Sequence, residues 1–295
     1  MDVSDLKVFE AVSRHGSMNR AAQELHTVQS NVTARIRLLE EELGVSLFQR
    51  HARGVSTTPA GQRILPFVGR ITKLLSDVRS AARDDGSPSG ALLVGGLETT
   101  TALRLSPVLS QFAKTYPEVR LVVTTGTTRR LLDEVLECRL EGAFVAGPVS
   151  HPELVQEAVF QEELVLVTSS SVRSMDELPG MADLRTIVFQ IGCSYRQRLE
   201  TLLAEMGIVT AKPLEFGSLD AIISCVSAGV GIALLPKGIV ASARQEGRVA
   251  LHELAPERSL VDTLFVRRRD AYTSSAMVAL LDMLRSKSAL LSSKP

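Results

Sequence analysis

Apolar residues recur at helical spacing through the first part of the chain. After residue 90 they gather into short blocks, so the pattern predicts two architectures in succession. Leu6, Phe9 and Val12 mark one face of a helix over about 5–14, with Ser4 as its N-cap and Gly16 as its end. Ser17 caps a second helix that buries Ala21, Ala22 and Leu25, small enough to let two helices approach closely. After a turn at 25–27, a third helix is expected from Val28 to about Gly44, with Val28, Val32, Ile36, Leu39 and Leu43 along its apolar face. The opposite face carries Gln29, Ser30, Thr33 and Arg37. Gln49 to Gly54, followed by Val55–Thr58, reads as a basic hairpin in which Gly54 supplies the positive-φ residue of the turn.

Two amphipathic helices, a tight turn and a basic hairpin form the layout of a winged helix-turn-helix, which sets one helix in the DNA major groove. Glutamine can pair bidentately with adenine, and Ser30 and Thr33 can reach base edges or phosphates. Arg50, His51 and Arg53 would lie along the phosphates. From Pro59, suited to a first helical position, to Asp85 the chain reads as one long helix. Ile64, Ile71 and Val78 repeat every seven residues, as do Phe67/Val68, Leu74/Leu75 and Ala81/Ala82. A lone helix would leave that seam in water, so it calls for a coiled-coil partner, and a dimer could then grip a two-fold symmetric site. Pro66 should bend the first turns, and Gly-Ser-Pro-Ser-Gly at 86–90 makes a hinge.

Beyond the hinge, apolar runs at 92–94, 121–124, 143–145, 164–167, 186–189 and 232–235 alternate with helical patterns at 102–115, 129–138, 195–206 and 219–228. Alternation of this kind predicts parallel sheets covered by helices, and about 200 residues of it fit two small α/β lobes better than one sheet.

Net charge is zero over 295 residues, which by itself argues against a nucleic-acid binder. Distribution reverses that inference, because Arg50, Arg53, Arg63, Arg70, Lys73, Arg79 and Arg83 face one acid, Asp77, over the same stretch. Cys138, Cys193 and Cys225 have neither metal-ligand spacing nor a pairing framework, so free thiols in a reducing compartment are expected. The opening MDVSDLKVFE is acidic and amphipathic rather than a leader, and no run approaches a membrane span, so a cytoplasmic protein with no membrane partner is expected. No nucleophile elbow, metal set or dinucleotide fingerprint is present: Gly229-Val-Gly231 follows a helix and lacks a third glycine. The chain is expected to be no enzyme and to need no cofactor.

The segment from Leu6 to Gly61 resembles the N-terminal domain of the LysR-type transcriptional regulators. The resemblance rests on Ala21-Ala22-x-x-Leu25, Gln29, Ile36-x-x-Leu39-Glu40, Glu42-Leu43-Gly44, Leu47-Phe48-x-Arg50 and Thr58-x-Ala60-Gly61. It implies base contacts from Gln29 and Ser30 and backbone contacts from Thr33, Arg35, Arg37, Arg50 and Arg53. The family usually has proline after the glutamine and a basic residue after the following serine, where this chain has Ser30 and Ala34, a departure that bears on base preference. Tyr116-Pro117-x-Val119, Val145-Ala146-Gly147 and Gly229 to Pro236 extend the likeness.

The fold class implied is a winged helix-turn-helix (1–58) and a linker helix (59–85), then a hinge and a two-lobed, periplasmic-binding-protein-like α/β regulatory domain (91–295). Strands crossing near 160–164 and 264–267 would divide lobe one (91–160 and 266–295, with a final helix from Tyr272 to about Leu290) from lobe two (161–265). Four loops would face the cleft at strand ends and helix starts: Thr99, Thr100 and Thr101; Gly126, Thr127 and Thr128; Gly192, Cys193, Ser194, Tyr195 and Arg196; Gly217 and Ser218. An anionic small-molecule effector would bind there, Arg196 pairing with its carboxylate. Implied partners are an interrupted palindrome of double-stranded DNA and further copies of the chain, as dimer or tetramer, with RNA polymerase a further candidate. Thiol sensing through Cys193 and effector-independent regulation are the alternatives.

Overall fold

Asp2, not Ser4, starts the first helix. In the computed structural model, which describes residues 1–52, 54–181, 183–209 and 213–292 (side chains as far as 286), α1 spans Val3–His15. The Asp2 carboxylate accepts the Ser4 and Asp5 N–H groups while the Asp5 carboxylate accepts the Asp2 N–H. This reciprocal box satisfies donors that a lone Ser4 cap would leave open. Gly16 ends α1 at φ +60°, and Ser17 caps α2 (Met18–Glu24) as expected. His26 turns the chain at φ +50° into α3 (Gln29–Leu43), which Gly44 closes at φ +67°.

Phe9, Val12, Ala21, Val32, Leu39 and Leu47 form the core of this first unit. Val28 and Leu43 lie outside it, both exposed, because that core covers only the middle turns of α3. The hairpin pairs β1 (Phe48–His51) with β2 (Gly54–Thr57), antiparallel, Phe48 opposite Thr57. Gly54 adopts φ +133°, and the next N–H, that of Val55, donates to the Gly16 carbonyl at 3.0 Å. Helix α4 (Pro59–Arg83) follows, with Thr58 as N-cap and Pro59 at its start.

The chain divides into two compact units, Met1–Asp85 with Leu136–Arg139, and Gly86–Val135 with Leu140–Pro295. In the second, β3 (Gly90–Gly96) is followed by a helical turn α5 (Glu98–Thr100), a π-helical stretch Thr101–Leu105, and α6 (Ser106–Thr115). Next come β4 (Val119–Thr125), α7 (Thr128–Leu136), β5 (Gly142–Ala146) and the long β6 (Leu154–Ser169). Lobe two adds β7 (Ile187–Phe189), α8 (Ser194–Glu205), β8 (Leu214–Phe216), α9 (Leu219–Ser227), β9 (Ala233–Pro236), α10 (Ala241–Gln245) and β10 (Val249–Glu253). A short α11 (Pro256–Ser259) leads to β11 (Leu260–Arg268) and the final α12 (Ser275–Ser292), which begins three residues after the expected Tyr272.

Parallel pairing holds for β3 with β4 and β5, and for β7 with β8. The expectation of parallel sheets fails at β6, which pairs antiparallel with β9, β10 and β11. Nine of its first ten residues pair with β11, the register shifting at Val159, and its last six pair with strands of lobe two, so one strand serves two sheets. Thr263 to Val266 pair with β5, inside lobe one, so the second crossing lies at 260–262 rather than the expected 264–267. One core packs Leu92, Phe112, Phe144, Phe265 and Leu280, and the other packs Val165, Ile187, Ile222, Val226 and Leu235.

Candidate functional site

In the first unit, burial of Val32, Ile36 and Leu39 turns the other side of α3 outward, leaving Gln29, Ser30 and Arg37 exposed and Thr33 half-buried. Arg37 pairs with Glu41 at 2.8 Å, one turn on. Arg35 is drawn back to Asp5 of α1 at 2.8 Å, so this cation braces the helix pair as well as lying beside the exposed face. Arg50 is exposed on β1, and Arg53 lies outside the described residues. The sequence reading missed Glu40, whose carboxylate accepts the Leu47 and Phe48 N–H groups at 2.6 and 3.0 Å. Those two bonds pin the start of the wing to α3.

In the second unit, a cavity of about 190 Å³ lies between the lobes, where β3, β4, β7 and β8 all end. The four expected segments converge there, as free N–H groups at strand ends and helix starts require. Thr99, Gly126, Thr127, Cys193, Ser194, Tyr195 and Gly217 line it. Thr100, Thr101, Thr128, Arg196 and Ser218 do not. Thr99 and Thr100 are already helical rather than in a loop, because the helix starts at Glu98. The expected role of Arg196 is not supported by its contacts. Its guanidinium bridges Glu215 at 2.6 Å and Glu200 at 2.9 Å, and those carboxylates, Glu215 first, raise its pKa.

The cation on the cavity wall is instead Arg130, in the first turn of α7, and the acid is Glu98. Neither was singled out from the sequence, although each falls within three residues of an expected cleft segment. Apolar surface comes from Leu97, Phe189 and Phe216. The hydroxyls of Thr99 and Tyr195 are buried and make no hydrogen bond with the described residues. Burial pushes the Tyr195 phenol up to about 12, the neighbouring Thr99 hydroxyl acting the other way, so it stays protonated and able to donate. The two hydroxyls thus lie beside each other, enclosed behind the cavity surface. Hydrogen bonds beside the cavity join the lobes, among them Leu219 N–H to Glu98 at 2.9 Å, Arg129 N–H to the Gly192 carbonyl at 3.4 Å, and Arg198 to the Gly147 carbonyl at 3.2 Å.

Residues 3–62 match the family described as bacterial regulatory helix-turn-helix protein, lysR family, and residues 85–289 match the LysR substrate binding domain. This chain belongs to the LysR family of transcriptional regulators. The LysR protein is 42% identical over 285 residues to the HTH-type transcriptional regulator GltR of Bacillus subtilis, covering 97% of this chain and 96% of that one. It is 41% identical over 282 residues to the regulator YofA of the same organism, covering 96% and 98%. Its fold is similar to that of a full-length OxyR variant from Pseudomonas aeruginosa (TM-score 0.72, 19% identity, 98% and 95% covered). It is also similar to full-length CbnR complexed with its target DNA (TM-score 0.64, 24% identity, 98% and 100% covered).

As a LysR-type regulator, it binds DNA through the helix-turn-helix and carries an effector-binding regulatory domain. Thiol sensing through Cys193 is not favoured. That side chain is buried and burial pushes its pKa up, away from the thiolate that reacts. Cys225 is only partly covered. No helix among the described residues is long and apolar enough to cross a membrane.

Proposed function

We propose that this regulator acts in the cytoplasm as a dimer or tetramer on an interrupted palindrome, and that a small molecule in the interlobe cavity alters promoter binding or bending. Gln29 and Ser30 read bases, while Thr33, Arg35, Arg37, Arg50 and Arg53 hold the phosphate backbone and RNA polymerase is the downstream partner. The observation that carries the effector site is the cavity itself, lined by segments of both lobes where four strands end. Arg130 on the wall pairs with Glu134 at 2.9 Å, so an anionic effector would share that guanidinium. Phe67, Ile71, Leu74 and Val78, all exposed along α4, support pairing through that helix.

Moving a lobe equilibrium from mostly one state to mostly the other needs about 5.5 kcal/mol of differential binding, within reach of a few charge-assisted hydrogen bonds. The test is a thermal-shift screen of the full-length protein against metabolite acids, amino acids, aromatics and sugars. A ligand at about a hundred times its Kd should stabilise the regulatory half by roughly 2.7 kcal/mol. The same compound should change promoter binding, and Thr99→Val should abolish both effects. Retention of both in Thr99→Val would remove the cavity from the reading. Gln29→Ala should weaken specific binding by about ten- to a hundredfold and leave non-specific binding intact. Equal losses on both would mean that Gln29 reads no base.

A further inference from the structure

Helices α1, α2 and α4 each begin under a side-chain cap, from Asp2, Ser17 and Thr58, but α3 does not. Its N-cap is Val28, in extended backbone (φ −97°, ψ 150°) and without a side-chain bond to the helix. The hydroxyl one residue earlier, that of Thr27, is engaged elsewhere and accepts the Asn31 side-chain amide at 2.9 Å. Valine ranks among the poorest N-cap residues, and a serine or threonine in its place would favour the helix by about fivefold. Nor does Val28 gain by burial, since it is 64% exposed while Val32, Ile36 and Leu39 fill the core. A branched apolar side chain that neither caps nor packs costs the free protein stability. It stands beside Gln29 and Ser30, at the end of α3 whose first residues meet base edges in a helix-turn-helix.

We propose that Val28 is a specificity-determining residue, which packs its methyl groups against the C5-methyl of a thymine in each half-site of the DNA. This deepens the reading of α3 as the base-reading helix and rests on it. Thymine alone among the four bases presents a methyl group in the major groove, and apolar side chains are what meets it. Successive Cα atoms lie about 3.8 Å apart and stacked bases about 3.4 Å, so adjacent residues at one helix end reach adjacent base pairs. The thymine therefore adjoins the base pair that Gln29 contacts. Burial of the two apolar surfaces against each other offsets what the uncapped helix loses, so the loss falls on the free protein and the gain on the specific complex. A contact without charge adds sequence preference and leaves the salt dependence of binding alone.

The probe is the tightest-binding DNA duplex selected from a random pool by the full-length protein, with each thymine replaced in turn by deoxyuridine, which lacks only the methyl. One such replacement per half-site should weaken wild-type binding about fourfold, the worth of one buried methyl, and the two together about sixteenfold, at unchanged salt dependence. In Val28→Ala, which is an equally poor cap, the same replacements should change affinity by less than about 1.5-fold. Val28→Ser restores a cap, so it should raise the Tm of the first unit by about 4–8 °C and also lose the response to deoxyuridine. No sensitive thymine in the wild type, or equal sensitivity in Val28→Ala, would overturn the contact. An unraised Tm in Val28→Ser would overturn the argument that valine stands there at the expense of the helix. Failure of the Gln29 reading shows separately, as a base preference beside the sensitive thymine that Gln29→Ala leaves intact while the deoxyuridine response persists.

Discussion

Arg104 and Glu162 offer a test of what holds the lobe junction together. Glu162 lies on β6 just before that strand changes partners, and its carboxylate is received by Arg104 from the π-helical stretch, Nε to Oε1 at 2.7 Å and Nη2 to Oε2 at 3.1 Å. The two ends are unequal: the Glu162 side chain is 4% exposed, the Arg104 side chain 29%. Arg104→Ala therefore strands a carboxylate away from water, and breaking a buried pair in this way costs about 3–5 kcal/mol. Glu162→Ala leaves a guanidinium that water still reaches, with the Phe160 ring 6.0 Å beneath it. That loss should be nearer to 1–3 kcal/mol, the scale of a hydrogen bond to a charged group. For a unit of about 200 residues the first figure lowers Tm by about 6–20 °C. The assay is thermal and urea unfolding of the full-length protein, following the transition of the regulatory half. Arg104→Ala/Glu162→Ala closes a double-mutant cycle with the two single variants, and Arg104→Met/Glu162→Leu, which refills the space with apolar groups, should recover most of the loss. A cost for Arg104→Ala below about 1 kcal/mol, or no greater than that of Glu162→Ala, would refute the argument from unequal burial.

Three further outcomes follow from the same coordinates. Gly54→Ala would strain a residue at φ +133° and press its Cβ against the Gly16 carbonyl oxygen; promoter affinity should fall at least about tenfold, and undiminished binding would mean that the wing is not held to α1. Leu74→Glu puts charge into the exposed stripe of α4, so sedimentation should show smaller oligomers; an unchanged mass would place the interface elsewhere. His252 is buried against the Thr168 hydroxyl at 2.9 Å, and burial holds its pKa below the usual 6.5, Glu177 opposing. The folded protein thus prefers the neutral ring while the unfolded chain takes up a proton near pH 6.5, so this stability is complete above that pH and is lost as pH falls toward the folded value. His252→Gln should flatten the acid side of the stability profile, and an unaltered slope would count against the burial argument.

The helical half was readable because its signals are local. Gly16, Gly44 and Pro59 act through their own backbones, Ser17 through a hydroxyl that reaches three residues on, and the heptad seam of α4 is a spacing, so the elements follow from short stretches of chain. Asp2 was passed over for Ser4 because both are good caps, and only the reciprocal bond to Asp5 chooses between them. In the regulatory half, order along the chain sufficed to nominate four cleft segments, since strand-end loops of a parallel sheet gather on one side. Direction of side chains within those segments was not readable. Arg196 points to Glu200 and Glu215 while Arg130 and Glu98 face the cavity, and nothing in their local sequence separates the three.

The helices of the first half, the break near residue 86 and the family were legible along the chain, because caps, periodicity and motifs are written in neighbouring residues. Folding in three dimensions alone makes β6 serve two sheets, pins the wing to Glu40, sets Arg104 against Glu162 and brings Glu98 to a helix of the other lobe. Each of these is a pairing between segments distant in the chain. Its energy depends on burial and separation in space, quantities that no local pattern of residues encodes.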